Sequence, residues 1–267
     1  MRGKALRSPK QARKARQKTT RLAFLYLFLC ALMVGGIMYL FSRPLFRIQS
    51  IEVSGSRRIS ENSIKSLVEQ SLSGTYLGFL PKAHTLLYPK THIKESLLKE
   101  FPVLSGVSIT LQNLAALRVA VREREPKALW CTDARRCFLV DETGFAFAVP
   151  EEGTEGGFYR LQRLATSSPL GTVVINSIEL EHLLSFFNNL EDMQFTPETA
   201  FPSDNGDVEV VLQGGMRLFV RKEEYARALL NLKTLIGEHD LLPKRNDSLM
   251  VDYIDLRLGN KIYFKPK

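Results

Sequence analysis

Between Leu22 and Phe41 the chain runs LAFLYLFLCALMVGGIMYLF, twenty positions without a charge, and this stretch limits the possible folds more than any other. At about 1.5 Å of rise per residue, a helix of that length covers roughly 30 Å, the thickness of a bilayer's hydrocarbon core. Residues 1–21 hold nine Lys or Arg and no acidic residue, whereas residues 22–267 hold 28 basic and 28 acidic ones. The formal net charge of +9 therefore sits in the tail. A basic flank beside an apolar helix is retained on the cytoplasmic side. The expectation is a single-pass protein of the cytoplasmic (plasma) membrane, with a basic cytoplasmic tail over 1–21, a transmembrane helix over 22–41 and the bulk outside the cytoplasm. A cleaved signal peptide fits less well, because its apolar stretch is about 7–15 residues and ends at a small-residue site. Here Phe41-Ser42-Arg43-Pro44 follows instead. Nucleic-acid binding by the tail also fits poorly, since no aromatic residue precedes Phe24 to stack on bases.

Cys30 lies within the apolar run and reads as a small apolar residue. Cys131 and Cys137 belong to WCTDARRCFLVDETG, which reads as strand, turn, strand. An oxidising compartment would permit a bridge across such a hairpin; a reduced structural pair is the other reading. Two cysteines without a nearby histidine do not complete a zinc site.

The residues after the apolar run divide into two units. Over 46–126, Phe46 to Val53 alternates apolar and polar on both sides of a phase break at Ser50. Ser60 then caps a helix carrying Ile64, Leu67, Val68 and Leu72 on one face. After a loop with Gly74, Gly78 and Pro81 comes a second helix with Ile93, Leu97 and Phe101, ended by Pro102. Val107-Ile109-Leu111 and Leu117-Val119-Val121 alternate as strands. The order is β-α-α-β-β.

Over 127–267 the pattern is mostly strand: 127–131, 136–149, 157–164, 207–213, 216–221, 249–258 and 261–266. Gly214-Gly215 and Gly259-Asn260 read as tight hairpin turns. One helix begins near Asn176, with Glu179 as a capping-box partner and Leu180, Leu184 and Phe187 inward. Another covers 222–238, with Tyr225, Leu229, Leu232 and Ile236 inward. Residues 150–157 and 200–206 read as loops. The fold class expected is α+β: one transmembrane helix, a β-α-α-β-β domain, and a mainly antiparallel β domain with two helices.

Catalytic chemistry has no entry point in the sequence. His84, His92, His182 and His239 are scattered, outside any HExxH pattern, and there is no G-x-S-x-G elbow, S-x-x-K or P-loop. No catalytic residue, metal site or cofactor is expected. The chain does offer strand edges. Its last hairpin, Met250–Leu258 followed by Lys261–Lys265, closes the sequence, and a terminal strand with one unpaired backbone row can accept a partner strand. The opposing reading gives Lys261, Lys265 and Pro266 the task of blocking such pairing.

These pieces resemble a family. Phe46-Arg47-Ile48-Gln49-Ser50-Ile51-Glu52-Val53-Ser54-Gly55 fits F-x-I-x-x-I-x-V-x-G, Phe101-Pro102-Val103-Leu104-Ser105-Gly106-Val107 follows, and Val121-Arg122-Glu123-Arg124-Glu125-Pro126-Lys127-Ala128 fits V-x-E-R-x-P-x-A. Leu139-Val140-Asp141-Glu142-Thr143-Gly144 and Tyr253-Ile254-Asp255-Leu256-Arg257 complete the set. Together they are similar to the bacterial cell division family FtsQ, also called DivIB, with a POTRA domain over 46–126 and an FtsQ-type β domain over 127–267. The Gly74–Lys90 connection is longer than that family's. The resemblance implies a bitopic, non-catalytic scaffold of the divisome at the division site, which helps control septal peptidoglycan synthesis. It implies that the β domain binds FtsB (DivIC)-like and FtsL-like bitopic proteins, that other divisome proteins meet the POTRA domain, and that nucleic acid is not bound. The binding surface it implies is Arg257, Leu258, Lys261, Ile262, Tyr263 and Phe264, with Arg221 beside them. Arg221 and Arg257 either reach a partner carboxylate or pair internally, for example with Asp255, Glu223 or Glu224. Two other classes stand beside this one: a membrane-anchored POTRA module with a chaperone-like or secretion role, and an anchored cell-wall enzyme with an unrecognised site.

Overall fold

A computed structural model describes residues 9–41, 46–76, 78, 80–133, 135–165, 167–238 and 251–267. His239, Met250 and the first residues of the basic tail lie outside the described residues.

The first helix, α1 (Pro9–Phe41), begins inside the basic tail and continues through the apolar run. This corrects the expected transmembrane helix over 22–41 and the single-pass placement built on it: among the described residues no helix is long and apolar enough to cross a membrane. The side chains at 37, 38, 40 and 41, on which the expectation also relied, lie outside the described ones.

Two compact units follow. The first contains β1 (Ser50–Ser54), α2 (Glu61–Leu72), the short hairpin β2 (Thr75–Tyr76) and β3 (Leu80–Pro81), α3 (Lys90–Glu100), β4 (Leu104–Leu111) and β5 (Ala116–Glu123). Ser60 caps α2, its side chain accepting from Asn62 N–H at 3.3 Å. The sheet order is β1-β5-β4, with β1 parallel to β5 in the register Ile51↔Leu117 and Val53↔Val119. Ile64 and Val68 of α2, Ile93 and Leu97 of α3, and Leu117 and Val119 of β5 are fully buried. Sequence periodicity did not reveal β2 and β3: two-residue strands carry no detectable alternation. Residues 98–106 and 122–126 group with the second unit. There, Arg124 N–H donates to Val103 O at 2.8 Å and Arg124 Nε to Pro102 O at 3.0 Å.

The second unit is built on a ten-stranded sheet. Its strands are β6 (Ala128–Cys131), β7 (Cys137–Val140), β8 (Phe145–Ala148), β9 (Arg160–Gln162), β10 (Thr172–Val173), β11 (Pro197–Pro202), β12 (Asp207–Leu212), β13 (Arg217–Arg221), β14 (Val251–Leu258) and β15 (Lys261–Pro266). Helices α4 (Ser177–Asp192) and α5 (Tyr225–Glu238) complete it. The order across the sheet is β10-β8-β7-β6-β9-β11-β12-β13-β14-β15.

The sheet is mixed, with six neighbouring pairs antiparallel and three parallel among the described residues. β6 and β9, β9 and β11, and β13 and β14 pair in parallel. The cause lies in the connections. Adjacent parallel strands need a long crossover, usually a helix, and the two helices supply it in β9-α4-β11 and β13-α5-β14. The expected loop at 200–206 contains the end of β11, whose prolines sit at its two ends, where a missing N–H is tolerated. The expected single strand over 136–149 is two, β7 and β8, reversed by a turn at Asp141–Gly144.

Both helices lie on one face of the sheet. Asn176 caps α4 by accepting from Ile178 N–H at 2.9 Å. Leu180, Leu183, Phe186, Phe187 and Leu190 of α4 enter one core with Val208, Val210, Leu218, Val220, Ile254 and Leu256 of the sheet and Ala228 and Leu232 of α5. Leu184, expected inward, is only partly buried, and Leu183 takes the central place. Tyr225 stacks on Phe186 with ring centroids 4.9 Å apart, and burial, then the Glu179 charge, pushes its hydroxyl pKa up.

Cys131 and Cys137 face each other in the β6–β7 register and form a disulfide. The loop between them is held by Asp133, which accepts from the backbone N–H of Arg135 and Arg136 and from Arg136 Nε. These bonds, the Arg135 backbone bond first, bring its pKa down to about 2. A short loop closed by one bridge stabilises by about 2 kcal/mol in the chain-entropy picture. The Cys131→Ala/Cys137→Ala protein is therefore expected to unfold at lower denaturant, by about 2 kcal/mol, with an unchanged slope. Urea titration of both proteins under non-reducing conditions checks this.

Candidate partner-binding edge

The last hairpin turns at Gly259-Asn260, where Gly259 has φ +66°. Its carbonyl accepts from Asn231 Nδ2 at 2.7 Å, which ties the turn to α5. β15 pairs with β14 on one side, through Tyr253↔Lys265, Ile254↔Phe264 and Asp255↔Tyr263, and is the end strand of the sheet on the other. An antiparallel strand paired on one side directs alternate N–H and C=O groups outward. Side chains on β15 alternate too. Ile262 packs against the core, while Lys261, Tyr263 and Lys265 stand on the face away from the helices. Tyr263 is 51 % exposed, Phe264 39 % and Leu258, at the end of β14, 52 %. The strand therefore presents a backbone row flanked by two aromatic rings and one aliphatic side chain.

The guard residues are also in place. Lys261, Lys265 and Pro266 are exposed, and Lys265 Nζ lies 3.4 Å from Asp252 Oδ2. Lysines on an edge discourage pairing with an arbitrary strand but favour one that carries acidic residues opposite them.

Arg257 and Arg221 meet at an acidic residue that the sequence reading did not single out. Arg257 binds Asp255 through two nitrogens, Nε to Oδ1 at 2.9 Å and Nη2 to Oδ2 at 2.6 Å, and its Nη1 reaches Asp207 Oδ2 at 2.7 Å. Arg221 Nε lies 3.6 Å from Asp207 Oδ1. The Arg257 hydrogen bonds, opposed by burial, hold the Asp255 carboxyl below the usual carboxylate range, and Asp255 in turn raises the guanidinium pKa. The internal pairing weighed for Arg257 is thus present, with Asp207 added to Asp255, and the fork is largely committed. Arg221 is half-exposed and makes one long contact, so of the two it has more freedom to turn toward a partner carboxylate. Glu224 pairs instead with Arg227 at 2.6 Å.

An aromatic centre completes this face. The Phe219 ring has the Arg257 guanidinium 5.2 Å from its centroid on β14 and the Arg217 guanidinium 5.9 Å away on its own strand, with Tyr253 edge-on at 5.9 Å. Arg217 also lies 3.8 Å from Glu209 and 3.5 Å from Asp252. A groove of about 500 Å³ beside this row is lined by Phe219, Arg257, Asp207, Glu209, Leu164 and Phe201 among others.

The place of Asp207 opposite Arg221 was one position away from what the expected turn implies. A two-residue Gly214-Gly215 turn would set 207 opposite 222. The loop instead holds three residues, Gln213 to Gly215, closed by Leu212 N–H donating to Met216 O at 2.8 Å, and the observed register is Asp207↔Arg221. The Arg257 contact with Asp207, fifty positions away, has no such local signal.

The motif pieces at the start of this unit also converge. Arg124, from V-x-E-R-x-P-x-A, forms a hydrogen-bonded ion pair with Asp141, from the L-V-D-E-T-G stretch. The Arg124 guanidinium also covers the Phe145 ring at 4.1 Å. Among the described residues, no group of three or more His, Cys, Asp or Glu is placed to hold a metal ion. No protein-family profile and no curated protein sequence matches this chain.

Proposed function

We propose that this chain is a non-catalytic binding scaffold of the FtsQ/DivIB kind, acting in bacterial cell division by accepting a strand of a partner along β15. The observation that carries the reading is the edge at β15, which among the described residues has β14 as its one strand neighbour and shows exposed Tyr263, Phe264 and Leu258. Backbone pairing supplies affinity in such a complex and the alternating side chains supply selectivity. Arg221, with one long internal contact, is the residue that reads a partner carboxylate. Arg257, held by Asp255 and Asp207, orients the end of the strand rather than reaching outward. The partners in this reading are FtsB/DivIC-like and FtsL-like proteins, and the outcome is control of septal peptidoglycan synthesis.

Partner capture tests the reading. Exposed aromatic anchors at an interface typically contribute about 1–2 kcal/mol or more each, a loss of roughly 5- to 30-fold on truncation. Tyr263→Ala and Phe264→Ala are each expected to weaken capture of the FtsB-like partner by that factor, with the thermal midpoint shifted little because both side chains are exposed. Depletion in the host should give filaments with failed septa, and a tagged copy should gather at mid-cell. Normal septa on depletion, or undiminished capture by both variants, rejects the proposal.

A further inference from the structure

β1, in the first unit, also ends its sheet, since among the described residues β5 is its only strand neighbour. Gln49 N–H and Ser50 N–H both donate to Ala115 O, at 2.8 and 3.2 Å. That doubled bond is the phase break seen in the sequence, and it reverses the alternation there. The backbone groups of Ile48 before the break, and of Ile51 and Val53 after it, consequently face the open side.

The chain itself shows what this open side accepts. Arg47 and His84 form an antiparallel bridge, with Ile48 N–H donating to Ala83 O at 2.8 Å and Thr85 N–H to Phe46 O at 2.9 Å. The long Gly74–Lys90 connection thus lays an extended segment along residues 46–48 and then leaves. It leaves because Lys82 N–H turns back to Gly74 O and His84 N–H to Pro81 O. Where it departs, a cleft of about 220 Å³ opens, walled by Ile48, Ile51, Leu72 and Ala83, with Arg47 and Glu69 among its lining residues. The sheet face is unfinished at the same place. Leu117 and Val119, in register with Ile51 and Val53, are fully buried, whereas Ile51 and Val53 are only half-buried.

We infer that the β1 edge is a second docking site, one that takes an extended segment of a partner protein antiparallel to β1 and seats one large aliphatic side chain in the cleft. The occupant continues the line that residues 83–85 begin, and its inward side chains complete the burial of Ile51 and Val53. Arg47 and Glu69 select an acidic and a basic flank on either side of the aliphatic residue. This surface is separate from the β15 edge and does not depend on it.

The test is titration of the ¹⁵N-labelled full chain with an acetylated heptapeptide of alternating Thr and Ile, ending in Glu and Lys. The expected result is saturable binding with amide shifts concentrated at 50–54 and 69–73. Ile51→Lys, a charge placed inward on an edge strand, should weaken binding at least about tenfold, and Ile51→Val less than about twofold. Ser73→Phe, at the exposed end of α2, fills the cleft without adding charge and should weaken binding by a similar factor. It serves in place of Ile51→Lys if that variant loses its dispersed amide signals. Shifts confined to β4 or β15, absence of saturation, or unchanged binding by Ser73→Phe would overturn the inference. Shifts at 50–54 that grow with protein concentration in the absence of peptide would assign the edge to a second copy of the chain, and so overturn it as well.

Discussion

Asp141→Ala will destabilise the second unit by about 3–5 kcal/mol, the range for breaking a buried ion pair by removing one partner. Asp141 is 1 % exposed and its Oδ1 accepts three bonds: from Thr143 N–H at 2.9 Å, Thr143 Oγ1 at 2.6 Å and Phe145 N–H at 3.1 Å. Its other oxygen pairs with Arg124, itself largely buried. Truncation leaves the guanidinium without its counter-charge and frees the turn that reverses β7 into β8. Replacing both partners, Arg124→Met with Asp141→Leu, should recover much of the loss, because no charge is then left stranded. Equilibrium urea unfolding of the single and double variants measures the difference.

The same carboxylate sets an acid limit. Burial pushes the Asp141 pKa up, but the Thr143 hydroxyl, the Arg124 guanidinium and the Phe145 and Thr143 backbone N–H groups outweigh it, so the net displacement is downward. A depressed folded-state pKa means stabilisation that is complete above the unfolded value of about 3.9 and is lost as pH falls through the folded value. Stability of the wild-type protein should therefore fall below about pH 4, and fall less steeply in Asp141→Asn. Equal slopes in the two proteins would show that other carboxylates dominate the acid transition.

Gly55→Ala is expected to cost about 2–5 kcal/mol in the first unit, from left-handed backbone strain and overpacking together. Gly55 ends β1 with φ +90°, and a Cβ built there would lie 2.1 Å from the Val121 carbonyl oxygen. Backbone on both sides of that contact prevents relief by a side-chain rotation, so β1 must move away from β5. Loss of dispersed amide signals from 50–54 and 116–121, with those of α4 and β12 retained, is the expected spectrum. A thermal midpoint within a degree or so of wild type would mean that the turn absorbs the methyl group.

Local chemistry made much of this molecule legible in advance. Ser60 and Asn176 cap the helices expected of them, and Gly214-Gly215 and Gly259-Asn260 close the hairpins expected of them. Ile109, Leu117, Val119 and Val121 are buried as their alternation requires. The membrane-spanning reading rested on one apolar run, and it is corrected because among the described residues no helix is long and apolar enough to cross a membrane.

By itself the sequence determined the places of α2 to α5 and of the longer strands with clear alternation, because caps, glycine turns and periods of 2 and 3.6 act over a few residues; it missed β2, β3, β10 and most of β11. Tertiary structure alone decided that β9 lies between β6 and β11, that three strand pairs of the second unit run parallel, that Arg257 reaches Asp207, and that Arg124 pairs with Asp141. The strand pairings and the Arg257–Asp207 contact join segments tens of residues apart, Arg124 and Asp141 stand 17 positions apart, and no local period records which segment will be the neighbour.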